Sequence, residues 1–136
     1  AFTIIISILI LTGAYLLSGS NKVQRVQSKS ESSCESSIDW RVVKNYVGQR
    51  IAVRGLVVEY RESMNVKGNP TWINIGAKYP VKDRFSVVVW GDDRSKFGRA
   101  LSENLVNRQV CVVGEIEMHD ETPQITLEWP RDLVFK

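Results

Sequence analysis

The sequence predicts a small all-β domain behind an apolar N-terminal stretch, and three features of its 136 residues carry that prediction. From Ile38 onward, short runs rich in β-branched residues recur, separated by polar stretches that contain Gly, Pro, Asn and Asp. A single extended helical stripe interrupts them. Phe2 to Leu17 carries no charged residue, whereas Asn21 to Ser37 is polar and rich in serine. At roughly 100 to 200 residues per domain the chain has room for one domain and a leader. Hydrophobic residues make up 43% and charged residues 24%, which supports a packed core and argues against wholesale disorder.

The apolar run FTIIISILILTGAYLL would span about 24 Å as a helix, short of a hydrocarbon core of about 30 Å. Residues 1–20 therefore read as an N-terminal apolar helix serving as signal peptide or membrane anchor. Residues 21–38 bury too little apolar surface to offset the entropy of ordering the chain, and read as a flexible linker. Cys34 stands far downstream of the apolar run, so a lipoprotein acylation box is not indicated.

The folded domain is expected over 39–136. Asp39 can cap a short helix through Tyr46, with Trp40, Val43 and Val47 at helical spacing and Gly48 as its stop. Ile51 to Tyr60 reads as a first strand, with Gly55 at a sharp bend. After a polar loop to Pro70 come Thr71 to Ile75 and Phe85 to Trp90. Asp92 to Asn107 predicts a helix with a capping start and one stripe of Phe97, Leu101 and Leu105. Gln109 to Met118 and Pro123 to Trp129 complete the set. Three strands, a helix and two strands is the order of a five-stranded OB-fold, a Greek-key barrel with one helix between strands 3 and 4. Alternation places Val53, Val57, Ile73, Val87, Val112, Gly114, Ile116 and Ile125 in its core. Both faces of the second and third strands are apolar, which leaves their register open.

The runs VGQRIAVRGLVVE, PTWINIGAKYP, FSVVVWGDDRSKFG, VCVVGEIE and PQITLEWPRDL resemble, in order and spacing, a bacterial OB-fold domain of the nucleic-acid-binding type. That family occurs alone behind export signals or beside thermonuclease-like nucleases. The resemblance covers Tyr46 to Leu133, with Trp72 standing where a Phe or similar residue is more usual. It implies a binding module and, as a partner, a separate nuclease or other protein.

Charge is unevenly placed. The whole chain carries +3; within 39–136 there are 15 basic and 13 acidic residues, but the part up to Arg99 carries +6 and the remainder −4. A single-stranded nucleic acid needs a basic groove for its backbone and aromatic plates for its bases. Tyr60, Trp72, Tyr79 and Trp90 are the candidate plates, two of which are expected to be buried. Arg54, Arg61, Lys67, Lys82, Arg84, Arg94 and Lys96 are the candidate phosphate contacts, with Asn74 as a polar contact between them. Glu115, Glu117, Asp120 and Glu121 surround the last loop and would repel a phosphate backbone.

Chemistry beyond binding is not indicated. The one histidine, His119, lies in a loop without converging partners, and Asp92 and Asp93 read as helix-capping carboxylates. The two cysteines, Cys34 and Cys111, lack metal-binding spacing. Cys111 reads as a small buried hydrophobe; a disulfide to Cys34 would require export and a linker folding back, and that alternative stays open. No enzyme, cofactor or metal site is expected. The reading is a non-catalytic module for weak, non-specific single-stranded nucleic-acid binding, membrane-anchored or exported; the alternative is an extracytoplasmic protein-interaction or small-ligand module.

Overall fold

The computed structural model describes residues 33–136; the apolar helix and most of the linker expected before them lie outside the described residues. The elements in chain order are β1 (Ile38–Asp39), β2 (Arg50–Glu62), β3 (Thr71–Ile75), β4 (Phe85–Val89), α1 (Gly91–Phe97), β5 (Gln109–Glu115), β6 (Glu117–His119), β7 (Thr122–Thr126) and β8 (Leu133–Phe135). Short 3₁₀ segments cover Trp40–Tyr46, Gly98–Ala100, Glu103–Leu105 and Pro130–Asp132.

Strand β2 is long enough to serve two neighbours. Its first half, Arg50 to Leu56, pairs antiparallel with β5, and its second half pairs antiparallel with β3 after a register shift between Val57 and Glu59. A shift of this kind inserts local twist and lets one strand bend across a curved sheet. The hydrogen-bonded order is β6-β7-β4-β3-β2-β5-β8, with β1 parallel to β2 and β7 parallel to β4. This is an all-β, OB-like fold.

Three expectations are corrected. The sheet has eight strands rather than five, and its backbone ladder is not a closed ring. Its path begins at β6 and passes through β5 before ending at β8, and only Ile116 separates β5 from β6 in the chain. Ile116 donates its N–H to the Gln49 carbonyl at 2.9 Å and accepts from the Gly48 N–H at 2.8 Å, so the run from Gln109 to Met118 breaks there. Its side chain turns into the core. Secondly, the helix expected to Asn107 is α1 alone, followed by two 3₁₀ turns. Gly98 at φ 50° breaks it and Ser102 caps a new turn by accepting from the Asn104 N–H. Phe97, Leu101 and Leu105 are nonetheless all buried. Asp92 and Asp93 lie inside the first turn of α1 rather than at its cap, which is Trp90.

The third correction concerns the cysteines. Cys34 and Cys111 form a disulfide with Cα atoms 6.0 Å apart and 77 residues between them in sequence number. They pack with Ala52, Val113 and Val134 in a small apolar cluster separate from the main core. Arg54 donates to the Ser37 carbonyl, and the Lys136 ammonium donates to the Cys34 carbonyl at 3.3 Å. The end of the polar segment is therefore fastened to β2 and β5 four residues before β1 begins. Its composition concealed this, because polar residues can be held through their backbone carbonyls.

All eight core residues expected from alternation are buried. Asp39 caps the first 3₁₀ segment, accepting from the Arg41 N–H at 2.9 Å. Gly55 is required by close approach rather than by a bend: a Cβ there would strike Ile75 and Trp40. At Gly76, with φ 82°, a Cβ would overlap the same indole. Trp40 thus lies across two glycines and seals one end of the core.

Candidate nucleic-acid interface

On the outer face of β2, β3, β4 and β7 the registers bring side chains into transverse rows. Arg61 on β2 stands beside Trp72 on β3. One step along, Asn74 on β3 stands beside Ser86 on β4, and Ser86 beside Gln124 on β7. These five residues form the floor and one flank of a groove of about 360 Å³. Tyr79 and Pro80, from the β3–β4 connection, form the opposite flank together with Lys82 and Arg84. Ser63 and Val66 of the β2–β3 loop, and His119, Asp120 and Thr122 around the β6–β7 turn, complete the lining.

Electrostatics differ between the two ends. Arg61 and Arg84 both lie over the exposed Tyr79 ring, 4.8 Å and 5.2 Å from its centroid. Among the described residues neither guanidinium is paired with a carboxylate. Tyr79 is fixed from its backbone, its N–H donating to Glu59 Oε2 at 2.9 Å. At the other end the Lys82 ammonium donates to Glu121, and His119 Nε2 lies 3.4 Å from Asp120 Oδ2. The hydrogen bond from Lys82, then its charge, holds the Glu121 carboxyl below its ordinary value; the same contact raises Lys82. Asp120 and Glu121 form the two-residue turn between β6 and β7, both at positive φ. Such a turn follows the right-handed twist of the flanking strands.

Six of the twelve candidate residues therefore share this groove: Arg61, Trp72, Asn74, Tyr79, Lys82 and Arg84. The other six lie elsewhere. Arg54 holds the Ser37 carbonyl beside the disulfide. Tyr60 points inward against the core, because it is one residue removed from Arg61 on an alternating strand. Arg94 ties α1 to the β2–β3 loop, donating to Thr71 Oγ1 at 2.8 Å and the Asn69 carbonyl at 2.7 Å. Lys96 pairs with Asp93 at 2.6 Å and lies over Trp129. Lys67 and Trp90 are exposed at the β2–β3 loop, outside the groove lining, with the Trp90 ring against Gly68. None of the four aromatics is fully buried, contrary to the expectation of two: Tyr60 and Trp72 are half-buried, Tyr79 and Trp90 exposed.

Sequence reasoning missed Ser86, Gln124 and Thr122, and set aside His119, which lines the groove. The signal for Ser86 was present, as the lone polar residue in the apolar run FSVVVW, but it means nothing until the strand's neighbours are known. Among the described residues no group of three or more His, Cys, Asp or Glu could hold a metal ion, and no helix is long and apolar enough to cross a membrane.

Tyr60 provides a check on the inner face. Burial, then the hydrogen bond to Glu62 Oε1 at 2.7 Å and that carboxylate's charge, push its phenol well above the ordinary 10.0. The folded state thus favours the neutral phenol. That stabilisation is fully present below about pH 10 and is lost as pH rises toward the folded value. Tyr60→Phe is expected to flatten the alkaline fall in stability, read from urea midpoints at about pH 9 and about pH 11.

No family model matches the chain, and no curated protein sequence matches it. Solved structures are similar to it in backbone. A protein provisionally assigned as an aspartyl-tRNA synthetase from Leishmania major Friedlin superposes with a TM-score of 0.53 at 10% identity, over 73% of this chain. The chain spans only 20% of that protein's length. A Klebsiella pneumoniae subsp. pneumoniae MGH 78578 lipoprotein, provisionally assigned as nucleic acid-binding, gives 0.48 at 15% identity over 78% of this chain and 97% of its own. The S. pombe Stn1-Ten1 complex gives 0.46 at 19% identity, over 68% and 67%. Identities this low speak to fold alone.

Proposed function

We propose that the groove binds single-stranded nucleic acid, weakly and without catalysis, its bases stacking on Trp72 and Tyr79 while phosphates meet Arg61 and Arg84. The observation that carries this reading is the pair of guanidinium groups on the Tyr79 ring, beside a second aromatic on the sheet. Cation and π-face are thereby combined within one groove, as sequence-tolerant strand binding requires. Lys82, already engaged by Glu121, would contribute only by exchanging that partner, so the acidic turn marks the end of the track. In this reading β5 and β6 act as one barrel strand interrupted at Ile116, which restores the five-stranded OB arrangement of β2, β3, β4, β5 with β6, and β7.

The Cys34–Cys111 disulfide supports placement in an oxidising compartment, and with the apolar N-terminal segment an exported or membrane-anchored module. A separate nuclease acting on the bound strand belongs to this reading. A second reading, a protein-interaction or small-ligand module, is favoured by the exposed apolar side chains Met64, Val66 and Val81 near the groove.

Tryptophan fluorescence during titration with oligothymidylate separates the two. With two phosphates neutralised, affinity is expected to fall about sevenfold between about 50 mM and 200 mM salt, by counterion release from a single strand. Unchanged fluorescence, together with a stable protein partner recovered in the absence of polyanion, would favour the second reading.

A further inference from the structure

Among the described residues, the groove contains one polar side chain that is both almost wholly buried and incompletely partnered. Asn74 is 2% exposed and Ser86 1%. Ser86 Oγ lies 2.7 Å from Asn74 Oδ1, and Arg84 Nε lies 3.1 Å from Ser86 Oγ. The first step of this chain is fixed by chemistry and its second by the orientation in the structure. A guanidinium can only donate, so Ser86 Oγ accepts from Arg84. Its own proton is given to Asn74, whose carbonyl oxygen accepts it in the structure. The amide orientation is thus set by the network.

The consequence lies on the other side of the amide. Asn74 Nδ2 has no partner among the described residues, and none of their buried nitrogen or oxygen atoms is left unsatisfied. Nδ2 therefore opens onto the groove that Asn74 lines, beside Trp72 and across from Tyr79. The floor between the aromatic plates offers a fixed hydrogen-bond donor. An amide free to use both its groups pairs with adenine through N6 and N7, as donor and acceptor together. Here the acceptor already receives the Ser86 hydroxyl on a side chain that is 2% exposed, and burial keeps its second lone pair from a base, so two-point pairing is disfavoured. A base with an exocyclic carbonyl, such as thymine, uracil or guanine, meets the lone donor with a projecting oxygen, whereas adenine offers it ring nitrogens only and loses the partner for its N6 amine.

We propose that Asn74, oriented through Ser86 by Arg84, makes the groove prefer carbonyl-bearing bases over adenine. This rests on the nucleic-acid reading above and deepens it from non-specific to base-selective. Asn74 is the contact residue; Ser86 and Arg84 are positioning residues. Ser86→Ala frees the amide to rotate, and Asn74→Asp replaces the donor by an acceptor of the same shape.

The test titrates the full chain with oligothymidylate and with oligoadenylate of about a dozen residues, at one low salt concentration. The quantity read is the ratio of the two affinities, which cancels the charge that Asn74→Asp adds and is compared with the same ratio in each variant. The wild-type ratio is expected to favour thymidylate by about fivefold or more, to fall toward unity in Ser86→Ala and to reverse in Asn74→Asp. Should either variant fail to fold, the wild-type side-chain amide signal of Asn74 in a nitrogen-correlated NMR spectrum provides the second measurement. It should move on adding thymidylate and stay in place with adenylate. A folded variant pair that retains the wild-type ratio, or an Asn74 signal that responds equally to both strands, overturns the inference while leaving the groove's function intact. Failure of the wild type to bind either strand overturns the proposed function, and the inference with it.

Discussion

Replacing both Cys34 and Cys111 by alanine is expected to lower the melting temperature of the protein by roughly 10 to 25 °C. The bridge joins positions 77 apart in sequence, and closing a loop of that length removes about 4 to 5 kcal/mol of chain entropy from the unfolded state in the simple loop model. Measured native bridges more often contribute about 2 to 4 kcal/mol, and a domain of this size shifts by about 4 to 8 °C per kcal/mol. The attachment is not the disulfide alone. Arg54 on Ser37, Lys136 on Cys34 and the two-residue β1 all hold the same segment, but each is a short or part-exposed contact that would fray once the covalent link is gone. Because the bridge lies against β2, β5 and β8, affinity for a strand in the groove should be unchanged at temperatures where the variant is folded. A calorimetric scan tests this, and a shift below about 3 °C would mean that the polar segment contributes nothing to the domain.

The disulfide also shows where sequence reasoning stops. Alternation is a local property, and it located inward residues on all five main strands, Val53 through Ile125, although β4 is buried on both faces and alternation alone could not fix the register there. The stripe of Phe97, Leu101 and Leu105 was likewise legible as apolar positions. Its conformation was not, since the spacing of four is satisfied equally by a helix broken at Gly98 and resumed as 3₁₀ turns. Pairings between distant segments carry no such local signature. Cys34 with Cys111, β1 on β2, β8 on β5 and the break at Ile116 depend on contacts 15 to 77 residues apart, or on backbone bonds that any residue can make. The groove follows the same rule. Its aromatic and basic members could be nominated one by one, but nothing in the order of residues says that Arg61 and Arg84 converge on Tyr79, or that Tyr60 faces the other way. The relay from Arg84 to Asn74 spans two strands and needed the register that the apolar faces left undetermined.

Charge reversal of the two guanidinium groups is the sharpest test of what that convergence does. Arg61→Glu alone is expected to weaken binding of oligothymidylate about tenfold, and Arg61→Glu with Arg84→Glu at least a hundredfold. A hydrogen bond from a charged donor to phosphate contributes about 1.5 to 3 kcal/mol, and each cation on the Tyr79 face about 0.5 to 1 kcal/mol at an exposed site. Like-charge repulsion from the new carboxylates adds to the loss, and the salt dependence should flatten as counterion release disappears. Arg84 also donates to the Val81 carbonyl at 2.6 Å and to Ser86, so its replacement loosens the β3–β4 connection. Arg61 has no such second task, which makes the single variant the cleaner measurement and its melting temperature the control. Lys96→Glu serves as the contrast. Lys96 carries the same charge, yet it is spent on Asp93 and Trp129 outside the groove, so binding should stay within about twofold. If Lys96→Glu costs as much as Arg61→Glu, attraction is a property of the whole +6 region and the groove has no special part in it. If the double variant binds as tightly as the parent, any strand runs elsewhere, and the stacked guanidinium groups serve only to hold Tyr79 in place.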